Sequence, residues 1–354
     1  MAWRWKLASG QSQVRALLLL LVLTGVLGTM IVLLARSLSG PAMPEGIPET
    51  LRDSEAMQKD IDSIPDVLRA SERYITEGRF SEAVILTHRA RQRFPEDQRI
   101  RLQLARARTF AEQYELAVEE YLEALRIGPR DPGIHSELAT VANRAGRLDL
   151  ALEHFEVAAA KEPSNDRYLF YLAMVQLKSG QRDKCQATLL RVLRVNPEVA
   201  EAWGTLAELQ FQDNNLSIAS DQIARARELA PAEPRWRLVQ ARIMIRQNKP
   251  EEAVNLLSGL PAELLREKDY LRVLGEAYGL MGQPISAAAL YGQARNWSPN
   301  DPELNYQEAL WWERAGSIDQ AVELARVAAR LGHPQGPGLV ERLVARREGR
   351  APTN

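Results

Sequence analysis

Cysteine is almost missing from this chain of 354 residues, which has only Cys185. That excludes an intrachain disulfide and a structural zinc site built from several thiolates. Histidine is scarce as well: His88, His135, His154 and His333 include no pair spaced to ligate one metal from a single helix face. Neither sign of charge is in excess, with 45 Lys and Arg against 46 Asp and Glu and a net charge of -1. A chain that coats nucleic acid needs a positive surplus to displace counterions, so no nucleic-acid partner is expected. Catalytic signatures are lacking too. There is no phosphate-binding G-x-x-x-x-G-K loop, no G-x-S-x-G, no H-E-x-x-H and no C-x-x-C. The sequence is therefore read as non-enzymatic, with no cofactor and no metal. His135 and His154 fall in one helical pair and are assigned to packing, and Cys185 to a buried, unreactive thiol. Adjacent carboxylates such as Glu119-Glu120 and Glu251-Glu252 do not face each other on a helix and read as solvated surface.

What is present begins with an apolar run. Ala16 to Ala35 holds twenty residues with no charge, among them nine Leu. A helix of that length spans roughly 30 Å, the thickness of a hydrocarbon core. Its composition gives an insertion free energy on the order of -5 kcal/mol. Arg4, Lys6 and Arg15 precede it without an acidic residue, while Arg36, Glu45, Glu49, Arg52, Asp53 and Glu55 follow. The positive-inside bias places the N-terminus in the cytoplasm and the rest across the membrane. The run exceeds the roughly 7–15 residues of a signal-peptide core, so a retained signal-anchor is expected. Ser37-Leu38-Ser39 leaves cleavage open. Thr24…Gly28 and Gly25…Thr29 are small-xxx-small pairs that leave a homo-oligomer open. The expected organisation is a cytoplasmic tail at 1–15, a transmembrane helix at 16–35 and a linker with a lead-in helix at 36–63. A repeat array at 64–335 and a capping helix and tail at 336–354 complete it.

From Ile64 the chain repeats every 34 residues. Units begin at Ile64, Gln98, Pro132, Asp166, Ala200, Pro234, Lys268 and Pro302, and the eight cover 272 residues without insertion. The eighth position is always small, from Ser71 and Ala105 to Gly275 and Ala309, and so is the twentieth, from Ala83 to Ala321. The thirty-second is Pro in six units, and the fifteenth is Gly in five and Asn at Asn214 and Asn248. Gly or Asn in mid-unit fits a left-handed helix C-cap, and Pro near the end stops a second helix. Small side chains between them let two helix backbones approach. Such a hairpin cannot bury its apolar face alone, so neighbours must stack into a rod. In the sixth unit Pro261 should end the second helix near Ser258. The tenth position, apolar in most units, is expected to be buried against the following unit. In the last unit it is Trp311, on which a capping helix at about Gly338 to Arg347 is expected to lie.

Small eighth, small twentieth and Pro thirty-second residues, in eight consecutive units, resemble the tetratricopeptide repeat (TPR). The resemblance implies an all-α right-handed solenoid of eight 34-residue helix hairpins, here preceded by one transmembrane helix. It also implies that first helices line a concave groove that binds proteins or peptides. Family members line that groove with the second, fifth, ninth, twelfth and thirteenth positions of each unit. On this sequence they give Arg99, Arg106 and Phe110 in the second unit, and Arg167, Phe170, Met174 and Lys178 in the fourth. The fifth gives Glu208 and Phe211, and the sixth Arg235, Arg242 and Arg246. Basic stripes interleaved with apolar spots would suit a peptide with acidic and apolar anchors. No unit pairs Lys at its fifth position with Asn at its ninth, so gripping of chaperone tails in the family's carboxylate mode is not expected. The functional expectation is a membrane-anchored scaffold that organises an envelope assembly or biogenesis complex with other envelope proteins. In a bacterium, which the Arg-rich, Lys-poor composition favours, it would sit in the inner membrane with its array in the periplasm. The alternatives are a regulatory subunit of an envelope glycan or lipid synthesis enzyme, or a cytoplasm-facing TPR adaptor.

Overall fold

The computed structural model describes residues 63–260 and 267–349. The expected cytoplasmic tail, transmembrane helix and lead-in helix lie outside the described residues. Among those described, no helix is long and apolar enough to cross a membrane. They form seventeen α-helices and no strand, an all-helical TPR-like solenoid. The chain divides into two compact units, one ending at Ile127 and one starting at Gly128.

The first unit contains α1 (Ile64–Thr76), α2 (Phe80–Arg93), α3 (Gln98–Phe110) and α4 (Tyr114–Ile127). In the second lie α5 (Pro132–Arg144), α6 (Leu148–Lys161), α7 (Asp166–Lys178), α8 (Arg182–Val195), α9 (Ala200–Gln212) and α10 (Leu216–Leu229). There follow α11 (Pro234–Arg246), α12 (Pro250–Ser258), α13 (Lys268–Leu280), α14 (Pro284–Trp297), α15 (Pro302–Arg314), α16 (Ile318–Arg330) and α17 (Gly336–Arg347). Each of the eight sequence units starts on the first residue of a helix.

Local chemistry sets these boundaries. The residue before a first helix is commonly a side-chain cap: Asp97 accepts from the Arg99 and Ile100 amides, Asn165 from Tyr168, and Asp301 from Glu303 and Leu304. Pro132, Pro234 and Pro302 occupy the first helical position, where a missing N–H costs nothing. At the fifteenth position all eight residues have positive φ: Gly78, Gly146, Gly180, Gly282, Gly316, Asn214, Asn248 and, unexpectedly, Glu112 at 58°. The next amide then reaches back to the eleventh carbonyl, as Arg79 to Tyr74 at 2.8 Å and Ser317 to Trp312 at 2.9 Å. This is the six-to-one bond that closes a helix end through a left-handed residue. The helix α12 stops at Ser258, three residues before Pro261.

Packing follows the small residues. Every eighth and twentieth position is buried, and most of these are alanine at 0 % exposure. Gly275 stands where the other units have Ala or Ser because a methyl there would lie 2.5 Å from the Tyr291 ring.

The direction of the tenth-position contacts differs from expectation. Ala107, Ile243 and Ala277 are buried, but each sits in a cluster with the preceding hairpin, not the following one. Trp311 behaves likewise. It packs with Leu271 and Tyr291, and the Gly279 backbone leaves room for its ring. The final helix therefore does not lie on Trp311. Leu339 and Leu343 of α17 pack with Ala309, Ala321, Val322 and Ala325, with Trp312 at the edge. Helix α17 starts 34 residues after Pro302, at the place of a ninth first helix, yet carries Leu343 where an eighth-position Ala would receive a second helix. Its other face is charged, with Glu341, Arg342, Arg346 and Arg347 exposed. Such a face ends the stack.

Candidate partner-binding groove

In the second unit, groove positions of consecutive first helices come together. Lys178 Nζ donates to Asn143 Oδ1 at 2.9 Å, joining the thirteenth position of α7 to the twelfth of α5. Arg235 donates to both Glu208 oxygens, at 3.0 and 2.8 Å, joining the second position of α11 to the ninth of α9. The guanidinium groups of Arg242 and Arg246 lie 4.9 and 5.6 Å from the Phe211 ring centroid, within cation–π range. Arg246 also donates to Asn214 Oδ1 at 2.7 Å. Behind them Arg182 pairs with Asp213 at 2.8 Å.

These contacts change the reading of particular residues. Phe211 was expected as an apolar spot open to a ligand, but it is buried beneath Arg242 and Arg246. Arg235, Arg246 and Lys178 are exposed yet already engaged with the neighbouring helix. Arg167 is exposed, and Phe170 and Met174 are half-buried on the same helix. In the first unit Arg99 folds back on its own cap, Asp97, at 2.8 Å, and Arg106 is exposed. Phe110 is 51 % exposed and stacks on Phe80 with ring centroids 5.8 Å apart. That pairing with Phe80, the seventeenth residue of the preceding repeat, was not legible from position alone.

Glu120 is the largest departure. It reads as solvated surface, yet it is buried in the first unit and takes three guanidinium groups. Arg101 and Arg108 each approach to 3.3 Å, and Arg91 donates directly. Burial pushes the Arg108 guanidinium below its ordinary value. Buried His88 is pushed down to about 4, first by loss of solvent and then by Arg91 and Arg108. His135 and His154 approach with Nδ1 atoms 2.9 Å apart, and burial lowers both, which fits neutral rings sharing one hydrogen bond. Among the described residues no group of three His, Cys, Asp or Glu side chains is placed to hold a metal ion. Cys185 is fully buried, and burial pushes its thiol up to about 11, leaving little thiolate near neutrality.

Among the described residues the groove contacts form ladders between neighbouring first helices. Two family models described as tetratricopeptide repeat match the chain, one at residues 142–209 and the other at 68–132 and 102–167. Residues 68–209 therefore carry tetratricopeptide repeats. A TPR protein from Parabacteroides merdae is similar in structure, with 19 % identity and a TM-score of 0.57, covering 70 % of this chain and 98 % of that one. The structure of the APC/C hetero-tetramer Cut9–Hcn1 matches with 14 % identity and a TM-score of 0.53, over 84 % of this chain and 58 % of that one. At these identities both likenesses are of fold. Superkiller protein 3 of Schizosaccharomyces pombe is 26 % identical over 123 residues, covering 33 % of this chain; the match spans 9 % of that protein's length. TPR folds bind protein or peptide partners, and TPR proteins are generally non-enzymatic scaffolds.

Proposed function

We propose that this chain is a membrane-anchored docking scaffold whose first-helix face binds protein segments and so organises an envelope assembly. One observation carries the reading. Groove positions are bridged from α5 to α7 and from α9 to α11, presenting Arg167, Phe170 and Met174 on α7 and the cationic cluster of Arg235, Arg242 and Arg246 on α11. Arg presents paired donors that fit carboxylates, and partly buried apolar side chains beside them supply contact area. The uncharged run from Ala16 to Ala35 supports an anchor, and the basic residues before it support an extracytoplasmic array. In a bacterium that is the periplasmic side of the inner membrane. Anchoring raises the effective concentration of a modest groove near other membrane proteins. No nucleic acid, cofactor or metal is part of this reading.

The test is affinity capture of the full chain from detergent-extracted membranes, with a variant carrying Arg106→Glu, Arg167→Glu and Arg242→Glu alongside. Captured proteins identified by mass spectrometry should be lost from the variant at unchanged expression and helicity. Equal capture by both proteins contradicts the groove reading. A reporter fused after Asn354 reads the side of the membrane independently.

A further inference from the structure

The groove of the second unit is charged in two blocks. From the third to the sixth repeat its groove positions carry Arg144, Arg167, Lys178, Arg235, Arg242 and Arg246 against Glu201 and Glu208. In the seventh and eighth repeats the balance reverses, with Asp269, Glu276, Glu303 and Glu313 against Arg272 and Arg314. Contacts bridge α5 to α7 and α9 to α11, and Glu303 and Glu313 of α15 meet His333 and Arg342, while the side chains of α13 are placed by their repeat positions. Asp269, Glu276 and Glu303 are exposed.

Each block already shows what it accepts. In the basic block Arg235 holds the Glu208 carboxylate with two donors. In the acidic block Glu313 receives Arg342 at 2.7 Å and Arg346 at 3.5 Å from α17. Glu303 receives His333 Nε2 at 3.0 Å. A carboxylate therefore finds a partner on α11 and a cation finds one on α15, and α7 adds Arg167 and Lys178 to the first block as α13 adds Asp269 and Glu276 to the second.

We propose that the groove of the second unit takes an extended protein segment in one orientation, its acidic stretch on α7 to α11 and its basic stretch on α13 to α15. This rests on the docking function above and adds the charge order of the partner. Five first helices packed at about 9 Å spacing span roughly 36 Å, which about 11 extended residues cover. Like charges in the wrong block repel, so orientation is selected by the mismatch as much as by the match. A single-stranded nucleic acid is disfavoured, because its phosphates would meet Asp269, Glu276 and Glu303.

The test uses the full chain and labelled 16-residue peptides of one composition, measured by fluorescence anisotropy at physiological salt. Two carry an acidic and a basic block in opposite orders, and a third alternates the charges. One block order should bind at least about tenfold more tightly than the alternating peptide, as expected if several exposed pairs each add a few tenths of a kcal/mol. Arg235→Glu with Arg242→Glu should abolish that preference, and so should Asp269→Arg with Glu276→Arg. Arg225→Glu, which only breaks an exposed pair with Glu228 on α10, should leave it intact. Equal binding of alternating and block peptides overturns the proposal. So does no binding of any peptide, or tighter binding of a 16-nucleotide RNA. If membrane capture responds to the triple Arg variant but the peptide preference is absent, only the charge order fails. If capture does not respond, the groove reading itself fails.

Discussion

Replacing Gly204 by Ala asks whether consecutive repeats interlock as described. Gly204 lies on α9 with its backbone against the Trp236 indole of α11. A β-carbon there would stand 2.3, 2.4 and 2.7 Å from three ring carbons. Ordinary contact begins near 3.4 Å, so the ring must retreat by about 1 Å to restore van der Waals separation. It has little freedom to do so, because Trp236 is 2 % exposed and packs with Ala207, Ile223 and Val239. Overpacking of this kind costs about 1–3 kcal/mol, and a rigid indole puts the expectation near the upper figure. Trp236→Leu alone should cost about 2–4 kcal/mol through lost burial and a void. Together the two changes should cost at least about 1 kcal/mol less than their sum, since the smaller side chain leaves space for the methyl. Gly259→Ala is the control: its β-carbon meets nothing within 4 Å, and its φ of -85° suits any residue. Urea melts followed by helical circular dichroism give the energies, and amide exchange in α9 and α11 locates the loss. A Gly204→Ala protein within about 0.5 kcal/mol of the parent, or strictly additive changes, would refute the interlock.

Three further outcomes are expected. Glu112→Gly should stabilise by roughly 0.5–1 kcal/mol, because it relieves a left-handed backbone at φ 58° and gives back part of the gain as unfolded-chain entropy; a loss of stability in a urea melt would contradict the helix end drawn here. Glu120→Gln should destabilise by about 3 kcal/mol, leaving three guanidinium groups around a neutral amide, whereas Glu119→Gln, on the exposed side, should change the melt by less than about 0.5 kcal/mol. Lowering the pH from about 6.5 to 4 should weaken the first unit. His88 is held neutral in the fold down to about 4 while the unfolded ring protonates near 6.5, so the unfolded chain binds the extra proton across that window and stability falls with pH by up to roughly 3 kcal/mol. A His88→Leu protein should show a flatter profile, and an unchanged slope would assign the acid sensitivity elsewhere.

Much of the fold could be read before any coordinates, because the repeat writes one spatial requirement eight times. Alanine-sized eighth and twentieth residues reported close helix approach, and Gly or Asn at the fifteenth reported left-handed helix ends. Glu112 escaped because the bond pattern of its seven counterparts imposes the conformation despite the side chain. Periodicity told which face of each first helix is buried but not which neighbour buries it, so Trp311 was assigned to the wrong side. Along the groove, family positions marked residues that bridge neighbouring first helices. They could not show that Phe211 would lie under arginines 31 and 35 residues later, or that Glu120 would be enclosed by guanidinium groups from two other helices. Burial of charge is decided by partners far along the chain, and residue type at one position does not report it.

The most direct measurement of the docking claim is site-specific photocrosslinking in cells. A photoreactive phenylalanine analogue would replace Phe170 or Met174 on α7, or Leu190 or Ile218, which are 44 % and 50 % exposed on the second helices α8 and α10. Discrete crosslinked proteins from the α7 sites, absent from the α8 and α10 sites, are the predicted result. The same adducts from all four positions, or adducts only from α8 and α10, would contradict it.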